Sequence, residues 1–214
     1  MIREKNSSLL KRIVIYIIGV FIQCFGIVLC VKCQLGISPI NSIPYVISQL
    51  VPLTLGVLSI LFYLVNIAIQ LILSEKKYYP SILLQLPISF LFGFVIDFWN
   101  GILPDASNIV MKILCLCGSV FFTAFGIMIL VAMHLVLDPP TGTIQAISRV
   151  SSKSIGSVKV IYDCTCVVVS VLIGFVGTHH LVGFGIATIV SALLVGRVLT
   201  LLQKTVGKSR ILQI

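Results

Sequence analysis

Apolar residues occupy this chain in long unbroken runs separated by short polar stretches, a pattern unlike the half-polar faces of soluble helices and strands. The runs fall near 13–33, 53–74, 79–98, 109–133, 159–177 and 181–203. Each is close to the roughly 20 residues that a helix needs to cross a hydrocarbon core ~30 Å thick. The pattern predicts an all-α, polytopic membrane protein with six transmembrane helices. The first run follows Lys11 and Arg12. It is too long for a signal-peptide core and lacks a small-residue cleavage site, so a retained anchor is expected.

The polar breaks carry a second pattern. Residues 35–44 read LGISPINSIP and residues 135–144 read LVLDPPTGTI. Sliding the chain by one hundred residues aligns 13–56 with 113–156 without a gap, and twelve pairs are identical, among them Gly26/Gly126, Leu35/Leu135, Pro39/Pro139, Ser48/Ser148 and Gly56/Gly156. Apolar bias alone does not place glycines, corner prolines and an Ile-Ser pair in one frame. Each half then holds three spans, and an odd number makes the second copy enter the membrane from the opposite side. Two inverted three-helix repeats, 1–106 and 107–214, are therefore expected, an arrangement common among secondary transporters.

Serine and aspartate are good N-caps and proline suits the first helical position. Ser38-Pro39 and Asp138-Pro139 thus each predict a short helix after the first span of its half, running to about residue 50 or 150. Such helices are re-entrant or interfacial. In the re-entrant case their N-termini face one central pocket, because irregular backbone at membrane depth must line a cavity or be buried in protein, and a helix N-terminus there suits a polar group. The substrate-binding candidates are Ser38, Asn41, Ser42, Asp138, Thr141 and Thr143, with two ionisable residues inside spans, Asp163 and Arg197. Ionisable groups in a membrane are costly and tend to face a cavity or each other. Asp163 can pair locally with Lys159, and Arg197 can snorkel toward headgroups. Asp97 reads as a boundary residue. Gln23, Asn66 and Gln85 read as hydrogen-bonding links between helices.

Charge refines the topology. Hydrophobic residues make up 58% of the 214-residue chain and charged ones 10%, with a formal net charge of +9. In a soluble protein that charge would suggest nucleic acid. Here nearly all fifteen cations fall in the segments that share a side with the N-terminus, such as Lys76, Lys77, Arg149, Lys153 and Lys204, while Lys32 and Lys112 face the other side. The segment DFWNGILPDASN (97–108) has two aspartates, no cation and an interfacial Trp99. The positive-inside rule then puts both termini in the cytoplasm, and no nucleic-acid partner is implied.

The seven cysteines lie in or at the ends of spans, where cysteine acts as a small hydrophobe. Only Cys30 and Cys33 have a spacing that could close a disulfide or hold a metal. His179, His180 and His134 lack carboxylate neighbours in sequence. No Ser/His/Asp set, paired carboxylates, phosphate loop or zinc-protease motif occurs, so neither an enzyme nor a cofactor is expected.

The segments LGISPINSIPYVISQLVPLTLG followed by FLFGFVID, and IQAISRVSSKSIGSVKVIYD followed by GFGIATIVSALLVGRVL, resemble the doubled signatures of the bacterial YczE/YyaS/YitT membrane proteins. In that family a Gly-x-x-Pro corner leads to a short helix and each half closes on a glycine-bearing span. Here Ile40 and Asn41 stand where an aromatic and an acidic residue commonly follow the corner, Val136 replaces the second corner glycine, and Arg197 stands where a proline often follows. The resemblance implies a bacterial plasma-membrane protein and no mechanism. The function expected is a small transporter or permease for a small polar solute. The alternative is a non-transporting partner that scaffolds or regulates a complex, as a homo-oligomer or with another membrane protein. A thiol-active redox role for Cys30 and Cys33 is a third.

Overall fold

The computed structural model describes residues 2–178 and 183–205, with side chains over 9–177 and 183–205. His179, His180, Lys208 and Arg210 lie outside the described residues. Those residues form nine α-helices: α1 (Ile2–Lys32), α2 (Pro39–Ser48), α3 (Leu55–Leu73), α4 (Tyr79–Leu83), α5 (Gln85–Ile102), α6 (Ile109–Ala132), α7 (Pro139–Ser151), α8 (Ile155–Thr178) and α9 (Ile186–Thr205). Six segments are long and apolar enough to span a bilayer: Leu9–Lys32, Leu55–Leu73, Lys76–Ile102, Ile109–Ala132, Ile155–Gly177 and Ile186–Thr205. Large apolar side chains point outward from them, among them Ile72 (82% exposed), Val176 (77%) and Phe94 (72%). In water such a surface would be unstable; lipid covers it.

Two ends differ from the hydropathy reading. The fifth span starts at Ile155 rather than near 159, because the Ser154 hydroxyl accepts from the Ser157 N–H at 3.2 Å and caps a first turn whose serines and lysine look polar in sequence. Helix α5 runs on to Ile102, so Trp99 sits on a helix and not in a loop. Its indole N–H donates to the Phe21 carbonyl at 3.1 Å, which ties α5 to α1.

Helices α1 and α6 form the central pair, and glycines set their approach. A Cβ on Gly26 would strike the backbone N of Thr123, and one on Gly126 would strike the backbone of Gln23. Gly19 faces Ile129 and Leu130, and Gly118 faces Leu29. Rising numbers on one helix meet falling numbers on the other, so the two run antiparallel with backbones in contact, as small residues allow. Around this pair α5 packs on α1 and α9 on α6, while α2 packs on α8 and α7 on α3.

Boundaries also recur. Helices α1 and α6 end at Lys32 and Ala132, α2 and α7 begin at Pro39 and Pro139, and α3 and α8 begin at Leu55 and Ile155. Between them Gln34 and His134 both adopt the left-handed region, with φ of 53° and 51°. The caps Ser38 and Asp138 have φ/ψ of −60°/143° and −61°/145°. A left-handed residue ends the first helix and an extended cap starts the next, so each chain turns back within a few residues.

One contact breaks the pattern. Gly56 of α3 and Gly93 of α5 touch backbone to backbone, and the Asp97 carboxylate lies between the helices, accepting from the Thr54 hydroxyl at 2.6 Å and the Gly56 N–H at 2.7 Å. Among the described residues a Cβ on either matching glycine, Gly156 or Gly196, would meet nothing within 4 Å, and α8 and α9 make no comparable pairing. Asp97 is therefore more than a boundary residue. Asp97→Ala strips an acceptor from the first turn of α3 and is expected to lower stability by about 1–3 kcal/mol. Thermal unfolding in detergent measures this, and Asp97→Asn, which keeps one acceptor oxygen, should lose less.

Candidate functional site

Both corners open onto one internal cavity of about 240 Å³. Its walls come from α1, α2, α3, α6, α7, α8 and α9, and matched positions of the two halves recur in them: Gln23 and Thr123, Ile27 and Ile127, Ser38 and Asp138, Ile40 and Pro140, Asn41 and Thr141, Tyr63 and Asp163. The remaining wall is largely aliphatic, including Ile144, Ile155, Val195 and Leu199.

Of the residues expected from sequence, Ser38, Asn41, Asp138, Thr141 and Asp163 come together in this wall. Ser42 and Thr143 do not. Each is buried on the far side of its short helix and bonds to the opposite half. The Ser42 hydroxyl reaches the Cys166 carbonyl at 3.3 Å and the Pro39 carbonyl at 2.6 Å. The Thr143 hydroxyl reaches the Asn66 and Pro139 carbonyls, both at 3.1 Å. Asn66 and Cys166 lie near the midpoints of α3 and α8. Arg197 is exposed and absent from the wall, although its neighbour Gly196 lines it. A side chain on the outer face of α9 points to the surface, as snorkelling requires.

The two corners are built differently. Asp138 caps α7 through its carboxylate, which accepts from the Thr141 N–H at 3.3 Å and the Thr141 hydroxyl at 3.0 Å. Burial pushes its carboxyl above the ordinary carboxylate range, and these bonds to Thr141 oppose the shift. Ser38 makes no side-chain cap to the backbone; its oxygen instead accepts from the Asn41 amide at 2.9 Å. The Arg12 guanidinium donates to the Met133 carbonyl and Tyr16 to the Val136 carbonyl at 3.0 Å, which hold the chain entering the second corner. The first corner is held by Gly36, at φ 106° against Gly185, where any Cβ would collide.

Asp163 does pair with Lys159, at 2.8 Å, with the lysine reaching the surface while the carboxylate is buried: Asp163 is 7% exposed. Among the described residues its second oxygen, Oδ1, has no hydrogen-bond partner, and neither has Oε1 of Gln23, which is 6% exposed. Both residues line the cavity. Gln23 thus departs from the linking role expected of it, whereas Gln85 exchanges two hydrogen bonds with Gln70 at 2.9 and 3.0 Å, and Asn66 accepts from Tyr162 at 2.6 Å. The signal for Gln23 was present in the repeat, since the matching position, Thr123, is also polar. Cys30 and Cys33 are free, buried thiols, and among the described residues no group of three or more possible ligands gathers to hold a metal.

The chain is thus a multi-pass helical membrane protein with an internal cavity where two polar helix starts meet. Residues 10–204 match the family of unknown function DUF6198, and the chain belongs to that family. Over 195 residues it is 28% identical to the uncharacterized membrane protein YczE of Bacillus subtilis (strain 168), covering 91% of this chain and 86% of that one. That relative agrees with the resemblance carried by the doubled corners. No solved structure matches the chain.

Proposed function

We propose that the protein is a small permease for a small polar solute, built from two inverted three-span repeats whose re-entrant helices α2 and α7 carry the binding site. The observation that carries this reading is the cavity wall, to which the two halves contribute matched positions on both sides of the corners. The antiparallel α1–α6 pair, in which Gly26 meets Thr123 and Gly126 meets Gln23, has the reciprocity of a two-fold axis in the membrane plane. The swapped packing of α2 on α8 and α7 on α3 has the same reciprocity. Hydroxyl contacts near the midpoints of α3 and α8 support corners at membrane depth, where a polar cavity suits irregular backbone. The distribution of cations supports cytoplasmic termini in a bacterial plasma membrane.

Proteoliposomes loaded with candidate solutes test the reading. The double variant Ser38→Ala, Asp138→Asn is expected to cut flux by at least about tenfold, the loss of roughly 1.4 kcal/mol of binding in the rate-limiting state, while the protein still inserts and unfolds cooperatively. Flux indifferent to both corners overturns it. The alternative, a non-transporting partner, draws on the weakly packed outer faces of α8 and α9, where Val168, Phe175, Val176 and Leu193 are exposed. It predicts a stably co-purifying membrane protein and no solute-dependent thermal shift.

A further inference from the structure

We propose that the solute taken by the central cavity is a small organic cation that carries N–H donors, a protonated amine or guanidinium on a short apolar body. This rests on the permease reading above and names its substrate class.

Three features of the wall point the same way. The polar wall atoms left without a partner among the described residues, Asp163 Oδ1 and Gln23 Oε1, are both acceptors, and both belong to residues more than nine-tenths buried. A buried acceptor without a donor costs free energy, more so on a carboxylate, so the missing group is a donor. Formal charge agrees: the wall holds two carboxylates, Asp138 and Asp163, against one ammonium, Lys159, which leaves one negative charge for a monocation to balance.

An anion at the start of α7 would meet the Asp138 carboxylate, which already accepts from the Thr141 N–H. A bare metal ion is disfavoured by the rest of the wall, where aliphatic side chains stand in place of the six or so oxygens that a hard cation gathers. Those side chains suit the carbon body of an amine. The volume, about 240 Å³, is the share of on the order of eight water molecules at ~30 Å³ each, so the solute is small. A second, largely apolar hollow between α8 and α9 shares Pro39, Asp163 and Ala192 with the cavity, so further apolar surface adjoins the carboxylate.

Calorimetric titration of the full-length protein in lipid nanodiscs with n-butylammonium, n-butanol and butyrate separates the classes at matched size. Butylammonium is expected to bind at least about tenfold more tightly than either of the others, and Gln23→Leu and Asp163→Asn should each reduce that binding by about tenfold. Gln23→Glu, which adds a charge without enlarging the side chain, should tighten it, and this second variant keeps the test decisive where Asp163→Asn fails to fold. Equal binding of butanol, tighter binding of butyrate, or sodium (against choline as control) binding more tightly than butylammonium at Asp163 would each overturn the assignment. Butylammonium bound but not transported into proteoliposomes keeps the ligand class and removes the permease. Corner-dependent flux of butyrate or butanol keeps the permease and removes the ligand class.

Discussion

Gly26→Ala and Gly126→Ala are each expected to lower the stability of the solubilised protein by about 1–3 kcal/mol, whereas Gly156→Ala and Gly196→Ala leave it unchanged or slightly raised. All four glycines occupy repeated motifs and look alike in sequence. Their surroundings differ. At Gly26 the added methyl meets the backbone N of Thr123, and at Gly126 it meets the Cα and N of Gln23. Backbone cannot rotate away as a side-chain tip can, so α1 and α6 must separate, and with them the wall of the cavity on both sides. At Gly156 and Gly196 the added methyl meets nothing within 4 Å among the described residues. The methyl then adds only helix propensity, worth up to about 1 kcal/mol in an exposed helix interior. Chemical denaturation followed by tryptophan fluorescence is well placed to read this, because Trp99 stacks edge-on against Phe25 beside Gly26, with ring centroids 4.9 Å apart. Equal losses from all four substitutions would mean that α8 and α9 pack as tightly as α3 and α5, and that the asymmetry between the halves is absent in solution.

That asymmetry marks the limit of what the sequence made legible. Six spans, the short helices after the first span of each half, and the corner positions at Pro39 and Pro139 all followed from hydropathy and local chemistry, since span length and capping are encoded within a few neighbouring residues. Five of the eight candidate residues lie in the cavity wall, four of them for the same reason: a helix start at a corner exposes its cap and first turn, whereas Asp163 reaches the wall from within α8. The three exceptions were set by tertiary packing. Ser42 and Thr143 face the carbonyls of Cys166 and Asn66 in the other half, a contact made across more than seventy residues that no local pattern announces. Arg197 lies on the face of α9 turned away from the cavity, and a lone arginine in an apolar helix does not reveal which face is inner. Gln23 was the converse case, an uncharged residue with no motif of its own, whose repeat partner Thr123 was the available clue.

Lys159→Met has the second large effect, with opposite signs for fold and for ligand. The substitution keeps the length of the side chain and removes its charge, leaving the Asp163 carboxylate, 7% exposed, with neither oxygen paired. Breaking a fully buried pair typically costs about 3–5 kcal/mol. The Lys159 side chain is 41% exposed, so water screens part of the interaction and about 1–3 kcal/mol is expected here. Asp163→Asn in the same chain should recover most of that loss, because a neutral amide in the wall no longer needs an ammonium; the double-variant cycle isolates the pair from the packing of the lysine stem. The same single substitution takes the only ammonium from a wall holding two carboxylates. Butylammonium should therefore bind Lys159→Met more tightly than the parent protein, by about tenfold, even as the apo protein unfolds earlier. A purely structural ion pair predicts the loss of stability without the gain in affinity. Tighter binding by a less stable protein is the pattern expected of a cavity in which Lys159 offsets one of two carboxylates and a cationic solute balances the other.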